Sequence, residues 1–492
     1  MIQYHAKFIP FNTSLMLLAI FPGRSCPGFQ STASGNLSMK ATLACILLFL
    51  VFASAAQDPV SSANRQIVFV GVNVIPMDKE VVLHNQSVVT KAGRILAVGN
   101  SGEIEHDGDA LLVQAQGKFL LPGLSEMHAH IPPNEDVESM KEVLMLFALN
   151  GITAIRGMLG HPKHLELRES LRKGEITGPH FYTTGPSING MSVKSPQDGV
   201  AMVRRQKEAG YDYLKLHPGL TRPKFDAIAA TAKEVGIPFA GHVSYGVGVW
   251  RAMEAGYSSI DHLDGFVEGL VPGIEKIPEP QAGLFGMYVA DQVDRARIPE
   301  LMKSLKDNNI WVVPTQSLAE RWFHPDYSAE DFEKDPNKRY MSREITDQWL
   351  ASKKNLTDNP QYDSDEIKNF IQLRRDLILA CEKEGVGLLL GCDAPQVFNV
   401  PGFSTHDELE YLVLAGLSPY QAIRSGTVNV GKYLGESPSG TIAPGAASDL
   451  ILLSANPLAD IENTRLIEGV MIGDKWMDNN YIRAELKKLE KQ

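Results

Sequence analysis

Cysteine is scarce, with four residues in a chain of 492. Cys26 and Cys45 fall in the first 57 positions; Cys381 and Cys392 fall on a predicted helix and a predicted strand. That pattern points to two free thiols rather than a disulfide framework. Positive charge is also short: 47 Lys and Arg against 58 Asp and Glu give a net charge of −11. A basic stripe for nucleic acid is therefore missing, and so is a polybasic patch for a membrane surface. Long apolar runs are missing too. The run from Ala41 to Phe52 falls short of the roughly 20 residues that span a bilayer.

That run has another reading. Met39-Lys40 precedes it and Ala53-Ser54-Ala55-Ala56-Gln57 follows, which is the layout of a signal peptide. Residues 39–56 are expected to be removed by cleavage after Ala55 or Ala56, with 1–38 an upstream extension absent from the mature protein. Loss of Lys7, Arg24 and Lys40 makes the chain more acidic still. Cys45 sits inside the apolar run and not at the cut site, which argues against a lipid anchor. The expected location is secreted or periplasmic, with no stable membrane anchor.

What is present is an ordinary globular composition, 44% apolar and 21% charged, enough for a sizeable core. From Gln66 to Leu120 short β-rich runs such as Ile67-Val68-Phe69-Val70 and Arg94-Ile95-Leu96-Ala97-Val98 are punctuated by Gly, Asn and Asp. At Leu121 the rhythm changes to strand, helix, strand, helix. The predicted strands end at His130, Arg156, Thr184, His217, His242, His262, Thr315 and Asp393. Alternation of this kind implies parallel strands with crossover helices, and eight units fit a (β/α)8 TIM barrel. Residues 321–366 are a polar, aromatic insertion, either a lid or an assembly surface that would make a homo-oligomer. After Gly440 the chain returns to β. The expected fold class is α/β: a barrel over 121–437 and a small β-sandwich built from 66–120 plus 438–482. Ala484 to Gln492 reads as a charged, exposed helix.

The chemistry concentrates at strand ends. In Met127-His128-Ala129-His130 the period-two alternation puts both imidazoles on one face, able to grip one metal ion. Lys215, His242, His262 and Asp393 each end a different strand, and barrel strands converge at their C-terminal ends. Six dispersed residues thus become one cluster. Leu214 and Leu216 alternate to the opposite face, where helices pack. Cys392 likewise points away from Asp393's side, so no thiol nucleophile is expected.

The chain resembles the metal-dependent amidohydrolases, in their imidazolonepropionase-like, prolidase-type branch that includes Xaa-Pro dipeptidases and ochratoxinase. The resemblance rests on Gly93-Arg94-Ile95, Leu121-Pro122-Gly123, His128-Ala129-His130, Gly151-Ile152-Thr153, Gly241-His242, Asp261-His262, Asp393, His406-Asp407-Glu408-Leu409 and Gly440-Thr441-Ile442-Ala443-Pro444-Gly445. It implies two divalent ions, most often zinc. His128, His130 and Asp393 would hold one and His242 and His262 the other. Lys215 would bridge them as N6-carboxylysine, a carbamate formed with CO2. The implied reaction is hydrolysis of an amide in a small molecule or dipeptide by a metal-bridging hydroxide, with Asp393 moving the proton. The other reading of Lys215 is a plain lysine that pairs with a substrate carboxylate over a single metal.

One departure separates branches. Deaminases and imidazolonepropionase itself resemble each other in His-x-x-Glu after the fifth strand, and here the run is His242-Val243-Ser244-Tyr245. Tyr245 in place of the glutamate argues against deamination. It is either a donor to the developing oxyanion or a packing tyrosine with its hydroxyl tied to backbone. His217, Arg156 and His406 are candidate substrate-binding residues, an arginine suiting a carboxylate; each has a structural alternative. A lactonase or cyclic-amide hydrolase on the same centre, and a dead scaffold, complete the alternatives.

Overall fold

The computed structural model describes residues 59–492 apart from 437 and 438. The expected extension and signal peptide lie outside the described residues. The protein is mixed α/β.

Strands from both ends of the described chain build one nine-stranded sheet. Its order is Val60–Ser61, Lys475–Asp478, Ile467–Ile472, Leu450–Leu453, Phe119–Pro122, Ile67–Val74, Leu83–Lys91 and Arg94–Asn100, with Leu111–Gln114 also paired to Ile67–Val74. The seam between the two ends is antiparallel, with Leu450 opposite Pro122 and Leu453 opposite Phe119. The small β unit expected from both chain ends is thus one continuously hydrogen-bonded set of strands. Phe69 and Trp476 lie four strands apart in hydrogen-bond order, yet their rings meet edge-to-face at 5.0 Å. Ile67, Val72, Val88, Ile95, Leu120, Leu450 and Met471 complete that core. Full burial of each such side chain contributes about 1.5–3 kcal/mol.

The remaining strands are parallel and follow one another in chain order. Leu124–Ala129, Ile152–Gly157 and His180–Thr183 form one sheet. Leu214–Leu216, Phe239–Gly241, Ser259–Asp261 and Trp311–Val313 form another. Parallel bridges Thr184 to Tyr213 and Ile188 to Leu216 join the two. The segment expected as an eighth strand has no ladder. Val312 N donates to Gly387 O, Leu389 N to Val312 O, and Met127 N to Leu390 O at 2.8 Å. This segment therefore touches the last strand on one side and the first on the other. Its glycines let both neighbours approach closely: a Cβ at Gly387 would lie 2.2 Å from the Trp311 ring, and one at Gly391 would lie 2.9 Å from His128 N.

Helices between strands start and stop where local chemistry says they should. Pro196–Ala209 opens on a Ser195–Asp198 capping box with proline in the first turn and stops at Gly210, φ +87°. Pro419–Ser425 opens on a Ser418–Gln421 box in the same way. Within the expected insertion lie Ala329–Lys334 and Arg343–Thr357. Phe332, Tyr340, Met341 and Trp349 there pack on Val397, Phe398 and Val400, in the loop that follows Asp393. The C-terminal helix is Asn479–Leu489, and it is not merely exposed. Ile482 is buried with Val470 and Met477, and Leu486 and Leu489 pack against the same cluster. No helix among the described residues is long and apolar enough to cross a membrane.

Candidate active site

His128 lies near the end of the strand Leu124–Ala129 and His130 directly follows it, Lys215 is central in Leu214–Leu216, His242 and His262 follow Phe239–Gly241 and Ser259–Asp261, and Asp393 ends the eighth segment. All six come together. His128 Nε2 lies 3.0 Å from Lys215 Nζ and 3.6 Å from Asp393 Oδ1. His130 Nε2 is 3.0 Å from Asp393 Oδ1. The His262 ring stands 4.4 Å from both His128 and His242, centroid to centroid. His262 Nδ1 approaches Asp393 Oδ2 at 3.9 Å.

Three of the four imidazoles, those of His128, His242 and His262, are aimed by a partner on Nδ1. Asp261 Oδ2 holds His128 at 2.8 Å, Asp264 Oδ2 holds His242 at 2.9 Å, and Thr315 Oγ1 holds His262 at 2.9 Å. Each Nε2 is thereby turned to the interior of the cluster, the arrangement that metal-binding histidines use. The donor set suits a cation. His130 Nε2, His262 Nε2 and Asp393 Oδ1 are buried and make no hydrogen bond, although the first and last are in close approach. Buried polar atoms without partners are costly, about 1–3 kcal/mol each. The ligand atoms of His128, His130 and Asp393 lie within 4.8 Å of one another, close enough to share one ion. A divalent cation fits.

Burial dominates the electrostatics. It holds the His128 and His262 imidazoles well below their usual range, with Lys215 and neighbouring histidines adding to the effect, and takes His242 down to about 3. Neutral imidazoles are metal-competent. Burial also pulls the Lys215 ammonium down to about 8, against the opposing charges of Asp261 and Asp393. Gly241 makes room for that lysine. Its φ is +116°, and a Cβ there would lie 2.6 Å from Leu216 O and 2.8 Å from Lys215 Cδ. Asp393 and His262 hold φ of +67° and +65°, rare for residues with a side chain.

A model of the amidohydrolase family matches residues 119–477. The chain belongs to the amidohydrolase family. It is accordingly a hydrolase acting on amide bonds, in a metal-dependent family. Among solved structures it is similar to a Xaa-Pro dipeptidase with bound methionine, at 20% identity, 84% of this chain and 100% of that one, TM-score 0.62. It is similar to the bottromycin amidohydrolase at 20% identity, 86% and 90% coverage, TM-score 0.65. It is also similar to the A. niger ochratoxinase at 18% identity, 85% and 97% coverage, TM-score 0.58. These neighbours match the prolidase-type, ochratoxinase-like branch that the motifs indicate. No curated protein matches the sequence.

Three expected substrate or catalytic contacts of this amidohydrolase are corrected by its geometry. The Tyr245 hydroxyl lies 3.1 Å from Ile274 O and 2.7 Å from Ile277 O, so its single proton faces backbone carbonyls and not the imidazoles. Arg156 is wholly buried; its guanidinium binds Met127 O, Ser259 Oγ, the Tyr433 hydroxyl and the Asp261 carboxylate. It locks Asp261, and through it His128, and has no group left for a substrate. His406 is buried between Thr464 Oγ1 and Asn150 O, each at 3.0 Å. His217 alone of the four stays at the cluster, its ring 5.1 Å from that of His242. Cys392 is buried and free, with Sγ 3.8 Å from Thr405 Oγ1, and Cys381 is free as well.

Three further residues support the cluster and carry little or no sequence signal. Glu126 Oε1 accepts from His128 N at 3.2 Å and Cys392 N at 2.8 Å, and Oε2 accepts from Thr405 Oγ1 at 2.9 Å. Burial raises its carboxyl to about 8. It ties the first strand to the eighth segment directly beneath the ligands. Arg374, buried, donates to His262 O and Pro314 O at 2.6 and 2.8 Å. Phe285, at φ +57°, stacks on the rings of His242 and His262 at 6.0 and 5.4 Å. Glu126 was reachable, since alternation puts it on the face of His128 and His130. Nothing local marks Arg374 or Phe285.

Proposed function

We propose that the protein is a binuclear metal-dependent hydrolase that cleaves amide bonds of small substrates: dipeptides such as Xaa-Pro, N-acyl amino acids or ochratoxin-type amides. The observation that carries this reading is the convergence of buried, unpartnered His130 Nε2, His262 Nε2 and Asp393 Oδ1 on one space beside Lys215. His128, His130 and Asp393 would hold one ion and His242 and His262 the other, most often zinc. When bound, the ions supply Lewis acidity and bring a water's pKa from about 15.7 toward 7. Lys215 fits the role of N6-carboxylysine. Its amine is pulled to about 8, so the neutral form that attacks CO2 is accessible, and the resulting anion suits a bridge that an ammonium could not form. Asp393 takes a proton from the attacking water at a carboxylate oxygen and delivers it to the leaving nitrogen. Phe285, stacked over two imidazoles, keeps bulk water from that face.

The ring of parallel pairings from Leu124 round to Leu390 supports a (β/α)8 barrel over 121–437, capped by the composite sheet of 66–120 plus 438–482. Export after cleavage near Ala55 or Ala56 belongs to the same proposal, and N-terminal sequencing of secreted protein tests it. The decisive experiment is metal analysis of purified protein joined to hydrolysis assays on dipeptides, N-acyl amino acids and lactones. About two ions per chain and amide cleavage that chelation abolishes are expected. Protein reconstituted with zinc and bicarbonate that binds no metal and cleaves no amide would sink the reading.

A further inference from the structure

Tyr245, Arg156 and His406 are engaged away from the cluster, which leaves His217, of the four candidates, beside it as a donor for a substrate oxygen. The neighbours of His217 dictate how. Asn189 Oδ1 accepts from Met191 N and Ser192 N at 2.8 and 2.9 Å, which settles the orientation of its amide. Its Nδ2 must then be the group that donates to Ser187 Oγ at 2.8 Å. Ser187 Oγ in turn lies 2.8 Å from His217 Nδ1. A serine hydroxyl carries one proton. With Asn189 donating to it, that proton has His217 Nδ1 as its one acceptor among the described residues. In the arrangement that gives every one of these groups a partner within the chain, Ser187 donates to His217 Nδ1, which leaves Nδ1 unprotonated and the hydrogen on Nε2. No described residue hydrogen-bonds that Nε2, while the ring lies against His242 at 5.1 Å with planes 29° apart. The backbone is pinned as well: His217 N donates to Ile188 O at 2.9 Å, and Ser244 Oγ donates to His217 O at 3.3 Å.

We propose that the Asn189–Ser187–His217 chain fixes His217 as a neutral Nε2–H donor to an oxygen of the substrate, either the carbonyl oxygen as it gains negative charge or a carboxylate beside the scissile amide. His217 would be a catalytic residue, with Ser187 and Asn189 as positioning residues. The proposal rests on the amide-hydrolase reading of the site.

The test uses zinc-loaded full-length enzyme, with one N-acyl amino acid and its carboxamide, which lacks the carboxylate. His217→Phe keeps a flat ring without a donor and should lower kcat/KM about 100-fold, the loss seen when one oxyanion donor is removed. His217→Gln places a carboxamide N–H where Nε2 stood and should recover most of that loss. Ser187→Ala should cost about 10-fold by releasing the tautomer. A fall in kcat on both substrates identifies the oxyanion. A rise in KM confined to the carboxylate substrate identifies the carboxylate. Nitrogen-15 histidine NMR supplies a readout independent of activity: His217 protonated on Nε2 in the wild type, with mixed tautomers in Ser187→Ala. An Nδ1–H tautomer, a metal-loaded His217→Phe with wild-type kinetics, or a Gln variant as poor as the Phe variant would each overturn the proposal. Failure of the broader reading looks different, since metal-loaded wild type would then cleave no amide at all.

Discussion

At the scale of single residues, Glu126 holds three groups around the cluster at once, accepting from His128 N and Cys392 N with one oxygen and from Thr405 Oγ1 with the other. Period-two alternation is a property of any strand, so His128 and His130 could be paired from sequence. The same rule reaches Glu126, but a buried acid reads as improbable until its three donors from separate segments are seen. Tyr245, Arg156 and His406 were misplaced for a related reason. Their partners, Ile277, Asp261 and Asn150, are brought to them by the fold, and spacing along the chain carries no trace of that. Asp393→Asn keeps volume and removes the proton acceptor. Its kcat should drop by about 10²–10⁴ with an unchanged circular dichroism spectrum, and near-normal turnover would exclude the proton role. Glu126→Ala strands His128 N, Cys392 N and Thr405 Oγ1 without an acceptor. At about 1–3 kcal/mol per orphaned group, thermal unfolding should come several degrees earlier and bound metal should fall, while Glu126→Gln, which keeps one acceptor oxygen, should lose less. Equal melting and metal content in the two variants would show that Glu126 supports neither.

At the scale of elements, helix ends were readable because capping is local: Ser195 with Pro196 and Ser418 with Pro419 carry their own signals. The eighth strand was harder. Val386 to Asp393 has strand-like composition, but it pairs through single bonds to Val312 and Met127 and not through a ladder, which composition does not foretell. Gly241 shows how an element end and the chemistry are joined. At φ +116° it turns the strand end away while its missing Cβ leaves space for the lysine stem. Gly241→Ala adds strain on both counts, and about 1–3 kcal/mol is expected from the backbone alone. The variant should fold, melt lower and lose metal occupancy, with Lys215 displaced. Full metal occupancy at wild-type stability would show the contact to be slack.

At the scale of the whole molecule, chain order hides the main assembly. Strands more than 300 residues apart in sequence, Phe119–Pro122 and Leu450–Leu453, form the central seam of one sheet. The return to β-rich sequence after Gly440 hinted at that pairing, while its register, with Leu450 opposite Pro122, had no local signature. His180 and Asp449 tie the two bodies together. His180 begins a strand of the parallel system, and its Nε2 meets both carboxylate oxygens of Asp449, at 3.1 Å each, next to the seam. The carboxylate raises the imidazole to about 9, and His180 in turn holds Asp449 below the usual carboxylate range. A histidine raised in the folded state contributes stability that is complete below its unfolded value, about 6.5, and is lost as pH climbs through 9. Asp449 contributes above its own unfolded value, about 3.8 in typical chains, so the pair is fully effective from about pH 4 to 6.5. The imidazole side chain is 51% exposed, so solvent screens the pair and its worth stays below about 1 kcal/mol. His180→Asn should therefore melt slightly below wild type at pH 6, by about 1–2 °C. That gap should close at pH 9.5 and narrow in 1 M salt, where the Debye length is about 3 Å. A gap of equal size at both pH values would mean that His180 joins the bodies by packing and not by charge.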